Sequence, residues 1–157
     1  MWRSVVLEGA NPLGEIIKGK TMTDTPFVRV DADGSKIWSV DELPHREDGP
    51  AIEQADGSNY WFIKGLYHRE DGPALDEVDG TRQWYLKGKH HREDGPAIER
   101  PDGSKEWWLD HKRHRVDGPA VITPTGEPQY WLLDIKVDEN TVMNDVFRAA
   151  WLNKNTK

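Results

Sequence analysis

The chain has 157 residues, a formal net charge of −7 and no cysteine, with 36% hydrophobic residues and eight tryptophans. An acidic balance lacks the basic footprint that duplex nucleic acid requires, and gives no attraction to anionic lipid. Without cysteine there are no disulfides, no thiolate chemistry and no cysteine-based zinc site. No apolar run reaches the length of a membrane-spanning helix, and no basic start followed by an apolar core marks a secretion signal. The expectation is one cytoplasmic domain that folds around aromatic side chains, each able to bury roughly 150–250 Å².

Residues 1–26 carry Asn11-Pro12, Leu13-Gly14 and a threonine-rich stretch with little periodicity, and read as an N-terminal extension. Met22 opens a plausible shorter frame, so residues 1 to about 21 are expected to add little to folding. Phe27 to Val30 reads as the first strand.

A repeat domain follows, over residues 27–138. HREDGPA starts at His45, His68 and His91, and HRVDGPA at His114, always 23 residues apart. Asp-Gly recurs at Asp33-Gly34, Asp56-Gly57, Asp79-Gly80 and Asp102-Gly103, and weakens to Thr125-Gly126. An aromatic recurs at Trp38, Trp61, Trp84, Trp107 and Tyr130. The copies span about residues 33–55, 56–78, 79–101 and 102–124, with a partial one over 125–138. A fixed period of this length is the mark of a repeat architecture.

Each copy reads as two strands and two turns. In the second, Ser58 to Ile63 is a strand of aromatic and β-branched residues, Lys64-Gly65 a turn, and Pro73 to Val78 a more polar strand. Asp79-Gly80 then turns into the next copy. Gly49, Gly72, Gly95 and Gly118 precede prolines that donate no hydrogen bond, so each marks a corner where glycine is expected to take an unusual backbone conformation. The sum is an elongated antiparallel meander of roughly nine or ten short strands.

Period-two alternation places Trp61 and Ile63 on one face, with Trp38/Val40, Trp84/Leu86, Trp107/Leu109 and Tyr130/Leu132 as equivalents. Ile52, Leu75, Ile98 and Val121 are expected to join that packing face. The other face carries Ser39, Phe62, Tyr85, Trp108 and Trp131, a column that grows more aromatic along the chain.

The 23-residue unit, its DGS turn and its aromatic columns resemble the MORN repeat family over about Asp33 to Trp131. HREDGPA stands where that family usually has Gly-x-Gly, a form that looks like the variant repeats of bacteriophage and other viral proteins. The resemblance implies an all-β repeat that binds partners rather than an enzyme, with no cofactor.

Residues 139–157 are expected to close the array. Asn140 or Thr141 is a candidate helix cap, and Val142, Met143, Val146, Phe147, Ala150 and Trp151 form a helical stripe. The same helix is a candidate for binding a partner or for self-association.

The repeated polar residues have structural readings. Equivalent histidines His45, His68, His91 and His114 lie two strands apart, ~9–10 Å, too far to share a metal. The local pairs His90-His91 and His111/His114 lack accompanying carboxylates at ligand spacing, so no metal is expected. Arg46, Arg69, Arg92 and Arg115 are expected to pair with Asp48, Asp71, Asp94 and Asp117 and fix the corners. DNA mimicry by the carboxylates is disfavoured, because cations interleave with the acids in every copy. Four repetitions of one unit also fit catalysis poorly, since an active site needs unlike residues converging.

Phe62, Tyr85, Trp108 and Trp131 are the candidate partner-binding residues, because tryptophan and tyrosine are enriched in binding hot spots. The expected function is non-enzymatic protein binding, with inhibition of a host defence protein as one such role. The alternative is a structural protein that self-associates through its sheet edges or terminal helix.

Overall fold

The computed structural model describes residues 27–156. The N-terminal extension, with the expectation that the chain to about residue 21 adds little, lies outside those residues.

The repeats build a long antiparallel sheet of ten short strands. Its path runs through Phe27–Val30, Lys36–Val40, Ile52–Glu53, Asn59–Tyr60, Leu75–Asp76, Arg82–Gln83, Ile98–Glu99, Lys105–Glu106 and Val121–Ile122, in chain order; Leu43–Pro44 joins at the side of Lys36–Val40. This is the expected all-β meander.

A second row of two-stranded hairpins lies beside it. These pair Phe62–Ile63 with Leu66–Tyr67, Tyr85–Leu86 with Lys89–His90, Trp108–Leu109 with Lys112–Arg113, and Tyr130–Leu132 with Ile135–Val137. The expected strand Ser58 to Ile63 is therefore two short strands with Trp61 between them. Trp61 N–H donates to Ala74 O at 2.7 Å in the long sheet, and Trp61 O accepts from His68 N at 3.1 Å in the hairpin. Trp84 and Trp107 switch rows in the same way, while Trp38 makes the equivalent bonds from within the strand Lys36–Val40 of the long sheet.

The hairpins close through two-residue turns with positive φ at both positions: Asp41-Glu42, Lys64-Gly65, Lys87-Gly88, Asp110-His111 and Leu133-Asp134. Such turns match the right-handed twist of the strands they join. Only the second and third copies use glycine at the second position; elsewhere a side chain takes a conformation that costs roughly 1–2 kcal/mol. The fold tolerates this because bonds from the neighbouring copy fix the turn. Gly65 N donates to Pro44 O, Gly88 N to Tyr67 O, His111 N to His90 O and Asp134 N to Arg113 O, all at 2.9 Å.

Small residues, not the tryptophans, form the fully buried column. Ala51, Ala74, Ala97 and Ala120 are 0% exposed, and Ser35, Ser58, Thr81 and Ser104 are buried beside them. Ser35 Oγ accepts from Ala55 N, and Ser58 Oγ from Val78 N, both at 3.0 Å and twenty residues on. Alanine and serine let the two rows approach closely, while the repeated tryptophans stay half-buried at the flank. The expected face of Ile52, Leu75, Ile98 and Val121 also differs. Ile52 lies opposite Ile37 and Tyr60, Leu75 opposite Tyr60 and Gln83, and Ile98 opposite Gln83 and Glu106. The register thus sets them against the residue before each tryptophan, away from the tryptophan face.

The expected terminal helix is two: α1 (Glu139–Met143) and α2 (Asp145–Asn155). Asp138, rather than Asn140 or Thr141, caps the first, its carboxylate accepting from Thr141 N at 2.7 Å. Asn144 ends α1 and caps α2, accepting from Val146 N and Phe147 N. Val142 is fully buried, as is Leu132 on the last hairpin against which α1 packs. Arg148 Nη1 donates to Val116 O and Val142 O, both at 2.7 Å, and ties α2 to the last corner. Of the expected stripe only Val142 is buried; Trp151 is half-buried, and Met143, Val146, Phe147 and Ala150 face outward.

Candidate functional site: a row of clefts beside an aromatic ridge

Each HREDGPA corner is folded around its arginine. The Arg69 guanidinium lies 4.1 Å above the Trp61 ring, its Nε donates to Asp71 Oδ1 at 2.7 Å, and its Nη1 donates to Pro73 O at 3.3 Å. Arg46 over Trp38, Arg92 over Trp84 and Arg115 over Trp107 repeat this at 4.0–4.1 Å. The expected Arg–Asp pairing is present in all four corners. Each arginine holds its aspartate below the usual carboxylate range through that hydrogen bond.

The corner glycines are needed for a different reason from the expected one. Among the described residues the left-handed glycines are Gly34, Gly57, Gly65, Gly80, Gly88 and Gly103, and none is a corner glycine. A Cβ on Gly72 would lie 2.8 Å from Arg69 Cζ; on Gly49, Gly95 and Gly118 it would lie 2.9, 2.9 and 3.0 Å from the equivalent atom. The guanidinium is sandwiched between the indole and the glycine, and a side chain there would displace it.

The corner histidines join each copy to the next. His45 Nδ1 accepts from Lys64 N at 3.0 Å, His68 Nδ1 from Lys87 N at 3.1 Å, and His91 and His114 Nδ1 from Asp110 N and Leu133 N at 3.3 Å. Each ring thereby grips the positive-φ turn of the next hairpin. Accepting at Nδ1 puts the neutral ring's proton on Nε2. In the first three copies Nε2 faces the carboxylate of Glu47, Glu70 or Glu93 at 3.7–3.8 Å. Burial lowers the His114 pKa.

Consecutive corners enclose a row of open clefts. One, of about 810 Å³, lies between the Arg69–Pro73 corner and the residues Trp84, Leu86 and His91–Asp94 of the next copy. The preceding one, about 870 Å³, has Trp61 and Ile63 at the equivalent places, and the following one, about 600 Å³, has Trp107 and Leu109. Trp38, Val40, the His45–Asp48 corner and Lys64 line a fourth of about 680 Å³. The column expected to be inner packing is therefore the apolar lining of these clefts. Glu70, Asp71, Glu93 and Asp94 stand at the cleft rims, 83–85% exposed.

Phe62, Tyr85, Trp108 and Trp131 lie in the hairpin row, in a ladder with residues that the sequence reading does not place beside them. Phe62 stacks on Tyr67 at 4.1 Å, Tyr67 on Tyr85 at 5.0 Å, Tyr85 on His90 at 4.1 Å and His90 on Trp108 at 5.3 Å. Arg113 lies 5.2 Å from Trp108 and 4.5 Å from Trp131 and continues the ladder. All four candidate rings are half-buried. The gradient along the column has a packing counterpart: each ridge residue is followed at a fixed offset of five by Pro44, Tyr67, His90, Arg113 or Lys136, its cross-strand partner. That offset is the signal that could have revealed the ladder.

The ladder also holds buried polar atoms without hydrogen-bond partners: His90 Nδ1, Trp131 Nε1 and Arg113 Nε, the last with the Asp134 carboxylate 3.8 Å away. His90 Nε2 meets Gln83 Oε1 at 3.0 Å, an acceptor that Tyr85 Oη also uses at 3.1 Å. Burial, aided by His111, pushes the His90 pKa down to about 4.

Among the described residues no group of three or more His, Asp or Glu is placed to hold a metal ion. No helix among them is long and apolar enough to cross a membrane. No protein-family model matches the chain, and no curated protein matches it in sequence.

Proposed function

We propose that this chain is a non-enzymatic, MORN-like repeat module that binds another protein through its row of corner clefts. The observation that carries this reading is the repetition of one open cleft, with the same residue types lining it, at successive corners. A row of equal sites suits an extended partner gripped at many points. It suits catalysis poorly, since catalysis needs unlike groups converging on one reacting atom. The ridge of Phe62, Tyr85, Trp108 and Trp131 supplies rigidity behind the clefts, its rings stacked on their neighbours. The resemblance to viral repeats makes a host protein the proposed partner, with obstruction of its action as the outcome.

The test is capture from host lysate by the wild-type chain and by a variant with Ile63→Arg and Leu86→Arg. Both substitutions fill clefts without touching the alanine column. Loss of the captured protein from a folded variant supports the reading; undiminished capture overturns it. A second reading, self-association, is favoured by the outward Met143, Val146 and Phe147 of the terminal helices, which are 56%, 73% and 51% exposed. Light scattering of the wild-type chain separates the two: a stable oligomer that Val146→Glu dissolves supports assembly.

A further inference from the structure

We infer that the clefts select a cationic segment in the polyproline II conformation, with a basic side chain at every third residue. This rests on the proposed cleft-binding function. Three independent features point to that ligand.

The first is period. Each copy adds two strands to the long sheet, so successive clefts are ~9.4–9.8 Å apart. A polyproline II helix places every third residue on one face with an advance of ~9.3 Å. A β-strand brings the same face back every ~6.6–6.8 Å and drifts out of step at once. An α-helix returns after seven residues, ~10.5 Å, and loses ~2 Å of register over three clefts.

The second is charge. Along the rims Asp48, Asp71 and Asp94 are engaged by their own arginines, but Glu47, Glu70 and Glu93 meet only a histidine Nε2 at 3.7–3.8 Å. The Arg, Glu and Asp of each of these corners thus sum to one surplus negative charge, spaced like every third residue of the ligand, with Lys64 adding a cation to the lining of the first cleft. The fourth corner has Val116 in the glutamate position, so the acidic row covers three corners.

The third is hydrogen bonding. No hydrogen bond among the described residues uses the indole N–H of Trp61, Trp84 or Trp107, and none of these atoms is among the buried unpartnered ones. They are accessible donors within the clefts. A polyproline II backbone makes no internal hydrogen bonds, so its carbonyls are free to accept them. Aromatic-lined grooves are also the usual docking surface for this conformation.

The test is fluorescence anisotropy with labelled peptides at low salt. A peptide of four Lys-Pro-Pro units should bind; four Glu-Pro-Pro units, and a Lys-Pro-Pro-Pro peptide of the same charge but period four, should bind at least tenfold more weakly. Combining Glu47→Gln, Glu70→Gln and Glu93→Gln should weaken the first peptide about tenfold, as three exposed charge pairs would. Val116→Glu should tighten it by about twofold. Equal binding of the period-three and period-four peptides overturns the inference, as does a Val116→Glu variant with unchanged affinity. If these peptides fail while capture from lysate still depends on Ile63 and Leu86, only the ligand class falls. If capture ignores Ile63 and Leu86, the cleft reading itself falls.

Discussion

Replacing Gly72 with alanine isolates the corner's central contact. The backbone at Gly72 lies outside the left-handed region, so alanine meets no left-handed strain there. Its Cβ, however, would stand 2.8 Å from Arg69 Cζ, when ordinary contact begins at 3.4 Å. The guanidinium must give way by several tenths of an ångström, against the Trp61 ring 4.1 Å behind it and the bonds to Asp71 and Pro73 O, and those contacts weaken. The loss is a partly desolvated cation–π contact, ~0.5–2 kcal/mol, and a charge-assisted bond to a carbonyl, ~1.5–3 kcal/mol, part of which water restores. We expect Gly72→Ala to cost ~1–3 kcal/mol, read as a lower urea midpoint by tryptophan fluorescence. The decisive assay is the cycle with Arg69→Ala. If the clash is the mechanism, Gly72→Ala costs little once Arg69 is absent. Additive losses in the double variant would refute the sandwich. Gly57→Ala is the contrasting control, since Gly57 has open space but a φ of +98°. Its cost of ~1–2 kcal/mol should come from backbone strain and persist whatever Arg69 is.

Ala97→Val adds bulk to a position with no exposed surface and should cost ~1–3 kcal/mol of overpacking, measured by denaturant unfolding. His90 has its pKa lowered in the fold, so the unfolded chain takes up the proton first as pH falls. Its contribution is therefore complete above about pH 6.5 and is lost progressively toward about pH 4. His90→Gln should flatten the stability profile over that interval, and an unchanged slope would contradict the burial of the ring. Arg148→Ala removes the bonds to Val116 O and Val142 O and should release α2 while leaving the repeats folded, seen as faster amide exchange confined to residues 145–156.

Much of the repeat domain is legible in the sequence because its signals are local. The 23-residue register, the Asp-Gly turns and the polar second strands define the long meander, and Arg–Asp pairing follows from spacing within one corner. What stays hidden depends on contacts between copies. Leu66–Tyr67 and its equivalents are too short to read as strands, and the hairpin row emerges only because Trp61 divides its bonds between two partners. Alanine carries little hydrophobic weight, so the column of Ala51, Ala74, Ala97 and Ala120 is eclipsed by the tryptophans beside it. The corner glycine shows the same limit. Gly-Pro suggests a backbone reason, whereas the reason is an arginine three residues earlier that folds back onto an indole. The ridge residues stand out by composition, but their partners at the fixed offset of five change chemistry from copy to copy, from Pro44 through Tyr67 and His90 to Arg113. The clefts exist only between copies, so no single unit announces them.

The most direct measurement of the central claim is hydrogen–deuterium exchange of the chain alone and bound to the protein it captures. Cleft binding predicts slowed exchange at the corner amides of residues 46–49, 69–72 and 92–95, at intervals of one repeat. Slowing confined to α2, or to the hairpin turns beside the aromatic ridge, would contradict it.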